Sequence, residues 1–184
     1  MSNALQFLIN RQSNGFLEAP APNHEQLQQM FAAAVAVPDH GALMPYRFDV
    51  VTGDGLDELT NIFVEAVTDK SDDDVKIAKA HKMAYRAPMI IVVSTKYQQH
   101  PKVPKFEQLI TAGLATNALQ MAATALGFGA IWRTGDMATS EIVKQGLNIA
   151  LEEQVVGFLY VGSISKQLGK KPRRLENADI RYIV

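Results

Sequence analysis

The chain has no cysteine. Disulfides, thiolate metal sites and a cysteine nucleophile are therefore excluded, and the composition suits a cytoplasmic protein without requiring one. Neither sign of charge is in excess: the formal net charge is −1. That gives no strong pull toward nucleic acid. No apolar run approaches the roughly 18 residues of a membrane span. The opening MSNALQFLINRQS has too short an apolar run for a signal peptide. Internal repeats and low-complexity segments are missing. So is a dinucleotide-binding loop. Gly127-Phe128-Gly129 lacks a third glycine, and it follows a helical pattern where the fingerprint must follow a strand and open a helix.

What is present fits one domain over residues 1–184, with 47% apolar and 20% charged residues. The chain is long enough to bury a sizeable core without staples. Its most organised stretch is EQLITAGLATNALQMAATALGFGAIWRTG, residues 107–135. Leu109, Ala112, Thr116, Leu119, Ala123 and Leu126 recur at spacings of three and four, which predicts a helix. The positions between them are also apolar or small, so the helix is expected to be covered on every side. Gly127 sits where a left-handed cap belongs. A short extended run, residues 128–132, follows and ends at Arg133-Thr134-Gly135. That places a cation and a hydroxyl at a strand tip. On composition alone, a tightly packed core helix accounts for the same pattern.

Along the rest of the chain, helices and strands interleave, which indicates a layered α/β or α+β fold. Residues 3–10 read as a short helix, with Leu5, Leu8 and Ile9 on one face. Arg11, Gln12, Ser13, Asn14 and Gly15 break it. This group suits either an anion or a solvated helix end. Asn23 and Gln26 form a capping box for a helix that Val37-Pro38 closes. His40 lies in the loop between that helix and a strand around Phe48, Val50 and Val51. It reads either as a ligand-contacting donor or as ordinary surface. An amphipathic helix is expected over 56–68, and a helix over 75–85. Asp72, Asp73 and Asp74 between them favour a helix cap over a cation site, because they lack interspersed ligand spacing. Residues 89–93 and 154–161 are apolar runs expected to be buried strands. Thr139 and Ser140 offer caps for a helix through about Ile149. The tail is basic, with Lys166, Lys170, Lys171, Arg173 and Arg174, and then alternates Ile180, Tyr182 and Val184. Its charges either are solvated or meet a phosphate.

Four stretches in this order resemble the flavin-dependent nitroreductase family, in its short single-domain form. They are INRQS at 9–13, PDHGALMPYRF at 38–48, AGLATNALQMAATALGFGAIWRTG at 112–135, and EQVVGFLYVGSI at 153–164 with KKPRR at 170–174. The third, a long helix ending in a G-x-G-x-x-W turn, is the most telling. The resemblance implies an α+β fold, a central mostly antiparallel sheet flanked by helices, in an intertwined homodimer with FMN at the subunit interface.

By that resemblance, Arg11, Gln12 and Ser13 contact the FMN phosphate and ribityl chain. His40 reaches the FMN of the other subunit. Trp132, Arg133 and Thr134 close over the flavin, and Lys171 and Arg173 meet the phosphate. Ala123, Thr124, Ala125, Leu126, Gly127 and Phe128 correspond to a segment associated with the nicotinamide cofactor. Ala36 stands where the short forms often carry a basic residue that helps hold the flavin. Gln12 replaces an arginine common in those forms, and Tyr46 a tryptophan. These departures bear on flavin affinity and substrate preference more than on fold. The implied activity is an FMN-dependent NAD(P)H oxidoreductase. Hydride passes from NADH or NADPH through FMN to a nitroaromatic, quinone or similar acceptor. No side chain is required as an acid or base, no metal is expected, and neither nucleic acid nor membrane is an expected partner. The alternative is a flavin-binding sensor or carrier without turnover. A third reading is a small domain whose dimer surface serves assembly alone.

Overall fold

The computed structural model describes residues 3–169, 176 and 178–183. The sheet is built around one strand. β5 (Val155–Ile164) pairs with β3 (Met89–Thr95), with β4 (Gly129–Arg133) and with the two-residue β1 (Leu17–Glu18). β2 (Tyr46–Thr52) extends the sheet beyond β3. Every pairing among the described residues is antiparallel.

Helices cover both faces. α2 (His24–Val35) and α5 (Lys105–Ala125) lie on one face. On the other are α3 (Gly55–Thr68), the helical turn α6 (Asp136–Thr139) and α7 (Glu141–Gly146). This is why β3 is apolar at successive positions although it sits in an antiparallel sheet. Ile90 and Val92 enter the core under α3, while Met89, Ile91 and Val93 enter the core under α5. All seven residues of β3 are buried. β5 divides in the same way, with Phe158 and Tyr160 toward α3 and Leu159 and Val161 toward α5.

Local signals placed most boundaries. α1 is Asn3–Asn10. Asn23 accepts from the Gln26 amide at 2.9 Å, and the Gln26 side chain accepts from the Asn23 amide at 2.9 Å, completing the capping box. Asp73 caps α4 (Asp74–Ala80) by accepting from the Val75 amide at 2.9 Å and the Lys76 amide at 3.3 Å. Among the described residues, no His, Cys, Asp and Glu cluster has a metal-holding arrangement. α5 ends in a Schellman motif. The Gly127 amide donates to Thr124 at 3.1 Å and the Phe128 amide to Ala123 at 2.9 Å, with Gly127 at φ +87°.

Other boundaries move. The helix expected over 75–85 ends at Ala80, because the Lys82 and Met83 amides turn to carbonyls only three residues back. A separate 3₁₀ turn (Ala84–Arg86) then tucks Ala84 into the core before Pro88. α7 stops at Gly146, short of Ile149. A Cβ on Gly146 would come within 2.7 Å of Ile62, so this glycine lets α7 rest against α3. Asn148 follows at φ +51° and ends the helical path. The tail residues 180–183 form no strand. α5 is not covered on every side by its own chain. One side buries Ala112, Ala115, Leu119 and Ala123. Phe106, Ile110 and Leu114, one helical turn apart, are 62%, 55% and 38% exposed.

Candidate functional site

The expected site residues after α1 lie against the start of β4, and a buried glutamine holds them there. The Gln120 side-chain amide, on the covered side of α5, donates to the Ser13 hydroxyl at 3.2 Å and to the Ala130 carbonyl at 3.1 Å. The Asn14 amide donates to the same carbonyl at 3.0 Å. The segment after α1 is thus laid along the start of β4. Asn14 also donates through its side chain to the Lys166 carbonyl at 3.0 Å, and Gln12 to the Leu168 and Gly169 carbonyls at 3.4 and 3.3 Å. The N-terminal segment and the beginning of the basic tail are therefore neighbours. Lys171 and Arg173 lie outside the described residues. Arg11 is half-buried at the end of α1, its amide donating to Phe7 at 3.1 Å. Ser13 accepts from Gln120, which leaves its hydroxyl proton to donate to an anion.

Arg133 connects this group to a cavity. Its guanidinium passes so close to Gly15 that a Cβ there would sit 3.1 Å from its terminal nitrogen. It lies 5.7 Å from the centre of the Tyr160 ring, a cation–π approach. Its Nε is buried and has no hydrogen-bond partner among the described residues. A buried, unsatisfied donor on a charged group is costly, so an acceptor brought to this atom would be stabilising. Beyond Arg133 opens a cavity of about 630 Å³ between α3, α4 and the end of β4. Phe63, Met83, Met137, Phe158 and Tyr160 supply apolar walls; Lys70, Lys76, Lys79, Arg86 and Arg133 supply cations; among the described residues Asp136 is the one carboxylate. Thr134 also lines it. Burial pushes the Tyr160 hydroxyl's pKa up, against the opposing pull of Arg86 and Arg133. The phenol is thus neutral near pH 7 and available as a donor.

Other expected residues stand apart. Trp132 precedes Arg133 but faces the other side of the sheet, as strand alternation requires. Its indole nitrogen donates to the Val156 carbonyl at 3.1 Å, and its ring approaches Gly113 of α5. The stretch from Ala123 to Phe128 turns at the opposite end of β4 from Thr134. Ala123 is buried, and the Thr124 hydroxyl donates to Gln120 at 2.9 Å. Ala125 and Leu126 border a shallow apolar groove with Phe7, Ala33, Met121 and Ala122. Ala36 is the exposed C-cap of α2. His40 is exposed, and its Nδ1 lies 2.7 Å from Glu107 near the start of α5. Glu107 and Gln120 are separated by about 20 Å of helix at 1.5 Å per residue. Within one chain, His40 is therefore remote from Arg133.

The cavity's lysines and Gln120 were not singled out in the sequence. Lys76 and Lys79 carried a usable signal, three apart on one short helix. So did Gln120, a polar residue in an otherwise small and apolar helix.

The nitroreductase family model matches residues 10–163. The chain belongs to the nitroreductase family. It is 40% identical over 161 residues, 88% of either chain, to the Escherichia coli K12 protein named "Putative NAD(P)H nitroreductase YdjA". A Haemophilus influenzae protein named "Putative NAD(P)H nitroreductase" is 36% identical over 178 residues, covering 96% of this chain and 97% of that one. Among solved structures, a nitroreductase-like protein from Bacillus cereus superposes with a TM-score of 0.83 at 19% identity, covering 98% and 97% of the two chains. A Bacteroides fragilis nitroreductase solved with bound FMN gives 0.75 at 20% identity, covering 99% of this chain and all of that one. At those identities the structures establish the shared α+β fold, an antiparallel sheet flanked by helices. No helix among the described residues is long and apolar enough to cross a membrane.

Proposed function

We propose that this nitroreductase-family chain is an FMN-dependent NAD(P)H oxidoreductase that works as a homodimer, with nitroaromatics, quinones or related electrophiles as acceptors. The observation that carries the reading is Arg133. Its unsatisfied Nε, beside Gly15 and at the edge of an aromatic-walled cavity, suits a flat polar ligand with anionic character. The donor set fits FMN. Arg11 and the Ser13 hydroxyl provide charge-assisted and neutral hydrogen bonds for a phosphate, and Lys171 and Arg173 add cations on the segment that continues from Gly169. Bound FMN supplies the hydride and electron chemistry. The protein's part is to bind, orient and exclude water. Gln120 fixes Ser13 against β4, the buried Phe63–Phe158 edge-to-face pair at 5.2 Å stiffens the cavity floor, and Tyr160 supports the Arg133 guanidinium. The names of the Escherichia coli and Haemophilus influenzae relatives and the FMN-bound Bacteroides fragilis structure support this assignment.

The dimer is supported by the uncovered apolar face of α5 and by Leu5, Leu8 and Ile9 of α1, all exposed. In a second copy's presence these surfaces would be covered, and His40 and Ala36, remote from Arg133 in their own chain, could serve the partner's flavin. The test is a visible absorption spectrum of purified protein before and after mild denaturation. Release of one FMN per chain, with NADH or NADPH consumption in the presence of a nitroaromatic or quinone, is expected. Bound flavin without turnover would select the sensor or carrier reading. Colourless protein that stays free of flavin after incubation with FMN would overturn the assignment.

A further inference from the structure

The cavity holds more positive charge than one flavin phosphate explains, and by the reading above that phosphate is met by Arg11 and Ser13. Lys70 follows α3, Lys76 and Lys79 project from α4, and Arg86 comes from the 3₁₀ turn. Among the described residues none of these four is paired with a carboxylate, and Asp136 is the only acid on the wall. Like charges around one opening repel, so the arrangement favours an anion that enters between them. The volume, about 630 Å³, is that of a small-molecule site. The three lysines are exposed, while Arg86 and Arg133 are half-buried beneath them. The charge therefore runs from the rim inward.

We infer that the cavity selects an anionic reaction partner: Lys70, Lys76 and Lys79 take the phosphate or carboxylate of a ligand whose flat part lies deeper, toward Arg133 and Tyr160. This rests on the FMN reading above for where the chemistry occurs, though not for the binding of the anion itself. The anion could be carried by the reductant, as the extra ribose phosphate of NADPH, or by an acidic acceptor.

The test compares wild type with the double variant Lys76→Gln/Lys79→Gln, both positions being exposed on α4. Steady-state kinetics are measured with NADPH against NADH, and with 4-nitrobenzoate against uncharged nitrobenzene. In wild type the more anionic member of one pair should have a KM about tenfold lower. In the variant that difference should collapse, with kcat and flavin content unchanged. Collapse in the first pair assigns the anion to the reductant, and collapse in the second to the acceptor. A wild type with bound flavin and turnover but no charge preference in either pair, or a preference that survives in the variant, would overturn the inference and leave the oxidoreductase reading standing. Calorimetric binding of inorganic pyrophosphate gives a readout that needs no flavin. Binding should weaken about tenfold in the variant and fall with salt. Equal binding by the two proteins would sink the anion site even if the chain proved to hold no flavin.

Discussion

Gly157 has no side chain in the place where the Trp132 indole lies, and a Cβ there would overlap the ring nitrogen. Gly157→Ala should push the indole aside and strain its bond to Val156. A loss of roughly 1–3 kcal/mol follows from overpacking of this kind. Trp132 is the only tryptophan in the chain. Its fluorescence should therefore shift in native protein, and the urea midpoint should fall in the same variant. An unchanged emission maximum would contradict the placement. Arg133→Gln makes a different claim. The site of its unsatisfied Nε would lose its charge while β4 kept its pairing with β5. Flavin retained after dialysis should drop at least tenfold, with far-ultraviolet circular dichroism unchanged. Retention equal to wild type would remove Arg133 from the flavin site. At this scale the sequence pointed to Arg133 and Ser13 through the family pattern, and it said nothing of Gln120 linking Ser13 to β4. That link depends on which side of α5 meets the sheet, and a helix of small residues on all sides does not reveal it.

Elements were more legible than the bonds between them. The capping box, the Asp73 cap and the Schellman turn each rest on residues within a few positions of one another, so local chemistry was enough. Asn23→Ala should cost about 1 kcal/mol, seen as a lower thermal midpoint without loss of helix elsewhere. If Asn23→Ala equalled wild type in stability, the box would be ornamental to α2. The boundaries that moved did so for tertiary reasons. α7 ends early because Gly146 abuts Ile62 and Asn148 turns left-handed; α4 ends early because Ala84 is drawn into the core. β1 escaped notice because two residues carry no periodicity. Its existence depends on the end of β5, about 145 positions away in sequence. α5 also shows what an all-round apolar pattern leaves open. Its second side faces outward in the single chain, and only a neighbouring molecule can say what covers it.

At the scale of the whole molecule, that outward face is the surface we propose a second copy covers. Ile110→Glu/Leu114→Glu would place two carboxylates on the surface proposed to be shared by two chains. Sedimentation velocity should then report a dimer for wild type and a monomer for the variant, with flavin lost in parallel if both subunits hold it. A variant that remains dimeric would move the interface elsewhere. The same view of the molecule gives β5 a temporal meaning. It pairs with β1, β3 and β4, yet among the described residues it is the last strand to be made. At 5–20 residues per second a ribosome needs roughly 3–14 s to pass from the end of β3 to the end of β5. Until then β3 and β4, already synthesised and apolar, have no central partner, and β2 alone can pair with β3. In that interval α2, α3 and α5, all made before β5, are the segments at hand to cover those apolar strands. The order of translation, as much as the final packing, gives those flanking helices their work.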